Sequence, residues 1–174
     1  MDVKEAIRKR RSVRSYSDRK IKEGTIEKIM EAVRLAPSAS NTQDWHFVLV
    51  SDDDLKKKIV KEGECQNFVS EAAVIIAGIT EAPDKLMKCE IPYGVVDLSI
   101  AMDHITLAAT EKGIGTCWIG SFNQDKIKDL LEIPNGNKVV SLMTMGYPSK
   151  PLKEGNKDRK PLESIYSWEK YGQG

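Results

Sequence analysis

The residues of this chain best suited to bind an anion lie near its start, in the stretch RKRRSVRSYS that spans residues 8–17. The first seven of these residues carry five positive charges. The guanidinium group of arginine is a planar fork that matches phosphate oxygens, and a serine hydroxyl donates beside it. In an extended chain, alternate residues share a face, so Arg14 continues on the same side as Arg10 or Ser12. The stretch therefore indicates a phosphate site, although the solvated end of a helix gives a similar pattern.

The charge of the whole chain is almost balanced, with 27 Lys plus Arg against 26 Asp plus Glu and a formal net charge of +1. Proteins that coat nucleic acid or membranes usually present a net basic surface. We therefore expect no nucleic-acid partner and no membrane partner. Because the excess of positive charge is local, the anion that it serves is expected to be small or local as well.

Two further polar stretches could take part in the same site. The first, APSASNTQDWHF, spans residues 36–47 and joins a predicted helix to a predicted buried strand. Its backbone and amide groups could meet the edge of a ligand, or Asn41 and Gln43 could only satisfy a turn. The second, NKDRKPLESI, spans residues 156–165, where Lys157 and Arg159 either add charge to a phosphate site or keep the chain soluble.

The sequence contains no self-sufficient catalytic motif. It has no GxSxG turn and no P-loop, and the GIG at 113–115 follows a helix, which is the reverse of a dinucleotide-binding turn. The three cysteines form no CxxC pair and the two histidines no HExxH motif, so we expect no metal site and reduced thiols in a cytoplasmic protein. If the protein is an enzyme, a cofactor is expected to supply the difficult chemistry.

The hydrophobic pattern predicts one domain in which helices and strands alternate. Five helices are predicted. The first spans 3–11, the second begins at a Thr25 cap and is stopped by Pro37, the third begins at an Asp52 cap and ends at Gly63, and the others span 94–113 and 124–131. Strands are predicted at 45–51, 72–79 and 138–148, with a short strand or turn at 115–120. The strand at 72–79 is predicted to be central and the helix at 94–113 to be buried, because both are apolar on nearly every side. From Ser149 onward no core is predicted, which indicates either a frayed tail or a segment that lies across a partner subunit.

Taken in order, these stretches resemble the nitroreductase family of FMN-dependent oxidoreductases. RRSVRSY is similar to the first flavin motif of that family, and APSASNTQDWHF to its second. GIGTCWIGSF stands where the family places the stretch that faces the flavin ring, and DRKPLE resembles its C-terminal phosphate contact. The resemblance covers about residues 3–166.

The resemblance implies a set of FMN-binding residues. The phosphate and ribityl end would be held by the N-terminal stretch and the tail, and Arg14 would lie near N1 and O2 of the ring, where a cation raises the reduction potential. The second motif would approach the same flavin from the other subunit, and the backbone at 119–121 would face N5. The residues implied are Arg10, Arg11, Ser12, Arg14, Pro37, Ser38, Ala39, Asn41, Asn67, Ile119, Gly120, Ser121, Lys157 and Arg159.

The resemblance also implies the architecture. The fold would be α+β, with a mainly antiparallel sheet flanked by helices, in a homodimer whose interface contains the long central helix. The FMN-binding domain would span residues 1–148. The extension at 149–174 would be exchanged between subunits, and both FMN sites would lie at the interface.

The implied activity is a ping-pong transfer of hydride from NADH or NADPH through flavin N5 to a nitroaromatic or quinone-like acceptor. No side chain is expected to act as a general acid or base, because the flavin carries the chemistry. Reductive dehalogenation, flavin modification and flavin binding without turnover stay open as alternatives. Three features depart from the family pattern: Asp44 stands at the usual proline position, Gly120 and Ser121 replace bulkier or acidic residues, and the stretch at 81–93 is short for a lid.

Overall fold

The computed structural model of the protein describes residues 1–152 and 158–172. Within them the fold is α+β, as the sequence predicts, with an antiparallel four-stranded sheet flanked by five α-helices. The strands are β1 (Trp45–Val50), β2 (Val74–Thr80), β3 (Gly115–Ile119) and β4 (Lys138–Gly146). The helices are α1 (Val3–Lys9), α2 (Glu23–Arg34), α3 (Asp53–Glu62), α4 (Tyr93–Glu111) and α5 (Gln124–Leu130), and short 3-10 turns occupy Ala39–Asn41, Asn67–Glu71 and Leu162–Ser164.

The centre of the sheet is formed by β2 and β4, in the strand order β1-β2-β4-β3. Every residue of β2 is buried, which confirms the central position predicted for this apolar strand. Its side chains alternate between two cores: Ile76 packs in the core that α2 and α4 cover, and Ile75 in the core that α3 and α5 cover. The sheet is therefore sandwiched between two helical layers.

Two helix boundaries differ from the sequence-based prediction. The first helix ends at Lys9 because Arg10 already has extended backbone with ψ 129°, and α2 begins at Glu23, before the predicted Thr25 cap. By contrast, the side chain of Asp52 accepts a hydrogen bond from the backbone N–H of Leu55 at 2.7 Å, so the predicted cap of α3 is confirmed. The early end of α1 matters most, because it leaves the arginine stretch extended.

The long helix α4 is buried on one side only within a single chain. Its core side includes Leu98, Met102 and Ile105, which are fully buried against the sheet and α2. Its other side leaves Val96 and Ile100 each 37% exposed and borders a groove of about 550 Å³. The residues that line this α4 groove are Val95, Val96, Ser99, Ile100, Asp103, His104 and Leu107. The burial predicted for all sides of the helix is therefore incomplete in one chain.

The arginine stretch is fastened to the sheet edge by two buried side chains, Val13 and Tyr16. We call residues 10–17 the basic segment. Its Val13 N–H donates to the carbonyl of Thr116 on β3 at 2.9 Å, and the Tyr16 hydroxyl lies 2.7 Å from both the Val13 carbonyl and the Thr144 hydroxyl. Burial raises the pKa of Tyr16 far above its ordinary value, so its hydroxyl keeps the proton that this contact needs.

Glycines of the sheet make room for both side chains. A Cβ added at Gly115 would lie 2.8 Å from Val13 Cβ, and one added at Gly146 would lie 2.7 Å from Tyr16 Cδ1. Both distances are too short for carbon atoms that are not bonded. The basic segment can therefore approach the sheet this closely only because these two positions have no side chain.

We expect Gly115→Ala to loosen the basic segment, because the new methyl group must displace Val13. Overpacking of this kind costs about 1–3 kcal/mol of unfolding free energy, which chemical denaturation measures. Gly136→Ala is the matched control, because a Cβ there meets nothing within 4 Å. Equal stabilities of the two variants would contradict the tight contact at Gly115.

Candidate functional site

The basic segment runs beside β3, near the buried thiol of Cys117. The bridge between Ser12 and Thr116 places the basic segment beside this strand. Burial raises the pKa of the Cys117 thiol, while Arg14, the hydrogen bond from Ser12 and Arg10 each act to lower it. Two arginines and a hydroxyl therefore act on the same buried atom, although they are separated along the chain.

Arg11 is oriented differently from its neighbours. Its guanidinium group donates to the carbonyl of Arg8 at 2.7 Å and to that of Arg10 at 3.1 Å, at the end of α1. It also lines a cleft of about 920 Å³ between α1, the end of α4 and residues 147–152. Arg10, Ser12 and Arg14 do not line this cleft. The cleft therefore separates Arg11 from Arg10, Ser12 and Arg14.

The second predicted motif forms a loop after α2, which we call the polar loop (residues 36–44). Ser40, Asn41 and Gln43 have positive φ values of 50°, 56° and 56°. The Ser38 hydroxyl accepts a hydrogen bond from the Gln43 N–H at 3.1 Å, and the Gln43 amide donates to the Asn41 carbonyl at 3.1 Å. Gln43 therefore satisfies the turn, while Asn41 and Pro37 are exposed.

Two residues of α4 that sequence reasoning missed hold this loop. Asp97 is buried and accepts the backbone N–H of Ala39 at 2.9 Å, and the Tyr93 hydroxyl donates to Asp44 Oδ2 at 2.7 Å. The hydrogen bond with Asp44 raises the pKa of Tyr93, because it stabilises the protonated phenol. One signal in the sequence was available: Asp97 is a carboxylate in the largely apolar first half of α4, one turn after a tyrosine.

The third predicted stretch lies at the end of β3. Ile119 is buried, and its carbonyl accepts the Ser141 hydroxyl at 3.0 Å. Gly120 and Ser121 are exposed, and a Cβ added at Gly120 would meet no atom within 4 Å. Because a strand rises about 3.3 Å per residue, Gly120 lies roughly 10 Å along the chain from Cys117. After Cys117, β3 therefore leads to exposed backbone at Gly120 and Ser121.

Asn67 begins the turn Asn67–Glu71 and is exposed. Its neighbour Phe68 packs with Val13 and Tyr16, so this turn lies beside the basic segment. Lys56 stabilises the end of this turn, because its buried ammonium group donates to the Ala72 carbonyl at 2.8 Å.

Of the two predicted tail residues, the structure describes Arg159. Arg159 is exposed and donates to the carbonyl of Asp158 at 2.6 Å, while Lys157 lies outside the described residues. Large apolar side chains of the tail are also exposed, among them Leu162 at 67%, Ile165 at 65% and Trp168 at 70%. The described part of the tail therefore covers little apolar surface of its own chain.

Neither a membrane-spanning helix nor a metal cluster is found in the part of the chain that the structure describes. There, no helix combines the length and apolar character that a membrane crossing requires. Likewise, no three His, Cys, Asp or Glu side chains come together in a way that could hold a metal ion.

Comparison with known proteins identifies similar chains. Residues 7–147 match the Nitroreductase family. A protein of Archaeoglobus fulgidus, provisionally named an NADH dehydrogenase/NAD(P)H nitroreductase, is 39% identical over 143 residues, which cover 80% of this chain and 81% of that protein. The FMN reductase (NAD(P)H) of Bacillus subtilis is 31% identical over 98% of this chain and 74% of its own. The crystal structure of a nitroreductase family protein from Clostridium difficile 630 superposes with a TM-score of 0.85 at 29% identity, covering 98% and 99% of the two chains.

We expect one fast-reacting thiol per native chain, that of Cys89. Cys89 is exposed, whereas Cys65 and Cys117 are buried, and burial raises the pKa of Cys65 to about 11 and that of Cys117 in the same direction. Only the thiolate reacts, so both buried thiols should react with a disulfide reagent at pH 8 only after denaturation. In Cys89→Ser the fast phase should vanish; a fast phase that persists would mean that solvent reaches one of the buried thiols.

Proposed function

The chain belongs to the nitroreductase family, and on that premise we propose that it is an FMN-dependent oxidoreductase that passes reducing equivalents from NADH or NADPH to a nitroaromatic or quinone-like acceptor. The observation that carries this proposal is the arrangement along β3. The basic segment with Arg10, Ser12 and Arg14 is paired with β3 at Thr116, beside Cys117, and open backbone follows at Gly120. Cys117, beside the cations, and Gly120, where the backbone is uncovered, are about 10 Å apart along the chain. This separation is comparable to the length of a ribityl phosphate that carries the flavin ring.

The donor set fits the phosphate and ribityl part of FMN. A phosphomonoester carries a charge of about −2, which two guanidinium groups can neutralise with bidentate hydrogen bonds. Arg10 and Ser12 would hold the phosphate, and Lys157 and Arg159 would join them from the tail. Arg11 would add positive charge nearby, although its guanidinium group caps carbonyls at the end of α1. Asn67 would contact the flavin from the turn beside the basic segment.

The protein residues would position and polarise the cofactor. When bound, FMN supplies a ring whose N5 accepts hydride from the nicotinamide and delivers it to the acceptor in a ping-pong cycle. Arg14 would hold positive charge near N1 and O2, which favours the reduced, anionic ring. The backbone of Ile119, Gly120 and Ser121 would face N5, where the missing side chain at Gly120 permits close approach. No side chain is assigned a proton transfer.

The site would be completed by a second copy of the chain. The α4 groove exposes Val96 and Ile100, and the tail exposes Leu162, Ile165 and Trp168. Exposed apolar surfaces of this extent are typical of subunit interfaces. In the homodimer the domain at 1–148 would bind FMN, and the extension at 149–174 would cross over and pack on the partner subunit. The partner's polar loop would then bring Pro37, Ser38, Ala39 and Asn41 to the flavin.

We further propose that the protein acts in the cytoplasm. All three cysteines are free thiols, which a reducing compartment maintains. The short stretch 81–93 forms a small turn closed by the bridge between Leu86 and Pro92, and it offers little material for a lid. An open pocket of this kind would accept acceptors of different sizes.

The purified protein is expected to bind FMN, with an absorbance band that bleaches on addition of NADH or NADPH and returns with a quinone. Arg10→Ala should raise the FMN dissociation constant about 10- to 100-fold, because a charge-assisted hydrogen bond contributes about 1.5–3 kcal/mol. Arg8→Ala is the matched control, since its side chain lines the cleft away from Cys117, and it should change the constant by less than about twofold. Failure of the unmodified protein to bind added FMN would refute the proposed function.

The protein should sediment at about twice its 19.5 kDa chain mass. Ile100→Glu places a charge in the α4 groove and should yield monomers that bind FMN at least about tenfold more weakly, because burying an unpaired charge is costly. Lys61→Glu introduces the same side chain on the exposed side of α3, with a larger change in charge, and should stay dimeric. A monomer that retains tight FMN binding would refute the shared site.

A further inference from the structure

The polar loop is tethered at both ends to the first turns of α4. At one end, the Ala39 N–H donates to Asp97 Oδ2 at 2.9 Å; at the other, Asp44 Oδ2 accepts the Tyr93 hydroxyl at 2.7 Å. Residues four apart in a helix lie on the same face, so Tyr93 and Asp97 act from one side of α4. A single rigid element therefore sets the distance between the two ends of the loop.

The loop needs this support because its backbone is strained. Ser40, Asn41 and Gln43 all have φ between 50° and 56°, a region that side-chain-bearing residues rarely adopt. Three such residues within four positions raise the free energy of the observed conformation relative to other loop conformations. The contacts at the two ends must offset this cost.

Asp44 is itself fixed to three neighbouring elements. Its backbone carbonyl accepts the N–H of Glu81 at 3.1 Å, just after β2. Its carboxylate lies 3.8 Å from the Lys85 ammonium group, and the Lys85 carbonyl accepts the N–H of Tyr93 at 3.1 Å. Asp44 therefore connects the polar loop, the stretch 81–92 and α4. The family usually has proline at this position, where the ring would limit backbone freedom without any partner.

We propose that Tyr93, Asp97 and Asp44 are positioning residues that hold the polar loop in the conformation that contacts FMN. This inference rests on the proposed function, because the loop matters only if it meets the flavin. The three residues act through the loop backbone and need not touch the cofactor. When only a fraction of the free protein has a competent loop, the apparent dissociation constant rises by the reciprocal of that fraction. Losing one tether should thus weaken FMN binding.

The test begins with Tyr93→Phe, which removes one hydroxyl and keeps the ring. The FMN dissociation constant, measured by quenching of flavin fluorescence, should rise about three- to tenfold, the effect of one lost hydrogen bond. Asp44→Ala breaks the same bond from the other side and should give a similar increase. The double variant Tyr93→Phe/Asp44→Ala should be no weaker than the weaker single variant, because both changes remove one interaction.

Two further variants separate loop positioning from a general loss of stability. Ile127→Val, in the core covered by α3 and α5, lowers the melting temperature without touching the loop and should leave FMN binding unchanged. Asp44→Asn keeps a side-chain oxygen that accepts the Tyr93 hydroxyl and removes the negative charge of the carboxylate. FMN affinity should stay within about twofold of the unmodified protein, since the loop keeps its tether.

The outcomes are distinguishable from those that test the proposed function. If the unmodified protein binds no FMN, the proposed function fails. If it binds FMN and Tyr93→Phe binds equally well, the positioning inference alone is overturned. Weak binding by Asp44→Asn also overturns it, because Asp44 would then act through its charge and not through the hydrogen bond that fixes the loop.

Discussion

The close packing of the basic segment against two glycines is the contact on which the candidate site depends. Val13 and Tyr16 occupy the space in front of Gly115 and Gly146, and their burial decides which way the intervening residues point. Because neighbouring residues of an extended segment face opposite ways, the burial of Val13 turns Ser12 and Arg14 away from the core. The packing of Val13 and Tyr16 thereby orients the neighbouring cationic residues. Isolated charged side chains on a surface would instead keep most of their conformational freedom.

The electrostatics of the site follow from that packing. Arg10 is half-buried and Arg14 is exposed, and both act to lower the pKa of a thiol buried in β3. Water screens the charge of the half-buried Arg10 less than it screens the exposed cations of α1. A phosphate held at this edge would therefore interact more strongly than one held by an equal number of charges elsewhere on the surface. The proposed role of the basic segment depends on its location as much as on its composition.

Helix α4 connects the other parts of the proposed site. One side packs against the sheet, its first turns hold the polar loop through Tyr93 and Asp97, and its free side forms the α4 groove. In the homodimer that we propose, the same helix would thus link the interface to a loop that serves the partner's flavin. Cofactor binding and subunit association would then be coupled, because both depend on the position of one rigid element.

The sequence by itself determined most of the helices and strands, the central position of β2, the Asp52 cap and the presence of an arginine cluster, because local periodicity and capping chemistry decide these features. It also determined the order of motifs that marks the family. The α+β class followed from the resemblance to the family. The tertiary structure alone decided that Arg11 is turned away from Arg10, Ser12 and Arg14, and that Tyr93 and Asp97 fasten the polar loop. These outcomes depend on residues far apart in the chain: β3 lies about 100 positions after the basic segment, and α4 about 50 after the loop. Side-chain direction is set by such long-range packing, which no local pattern encodes.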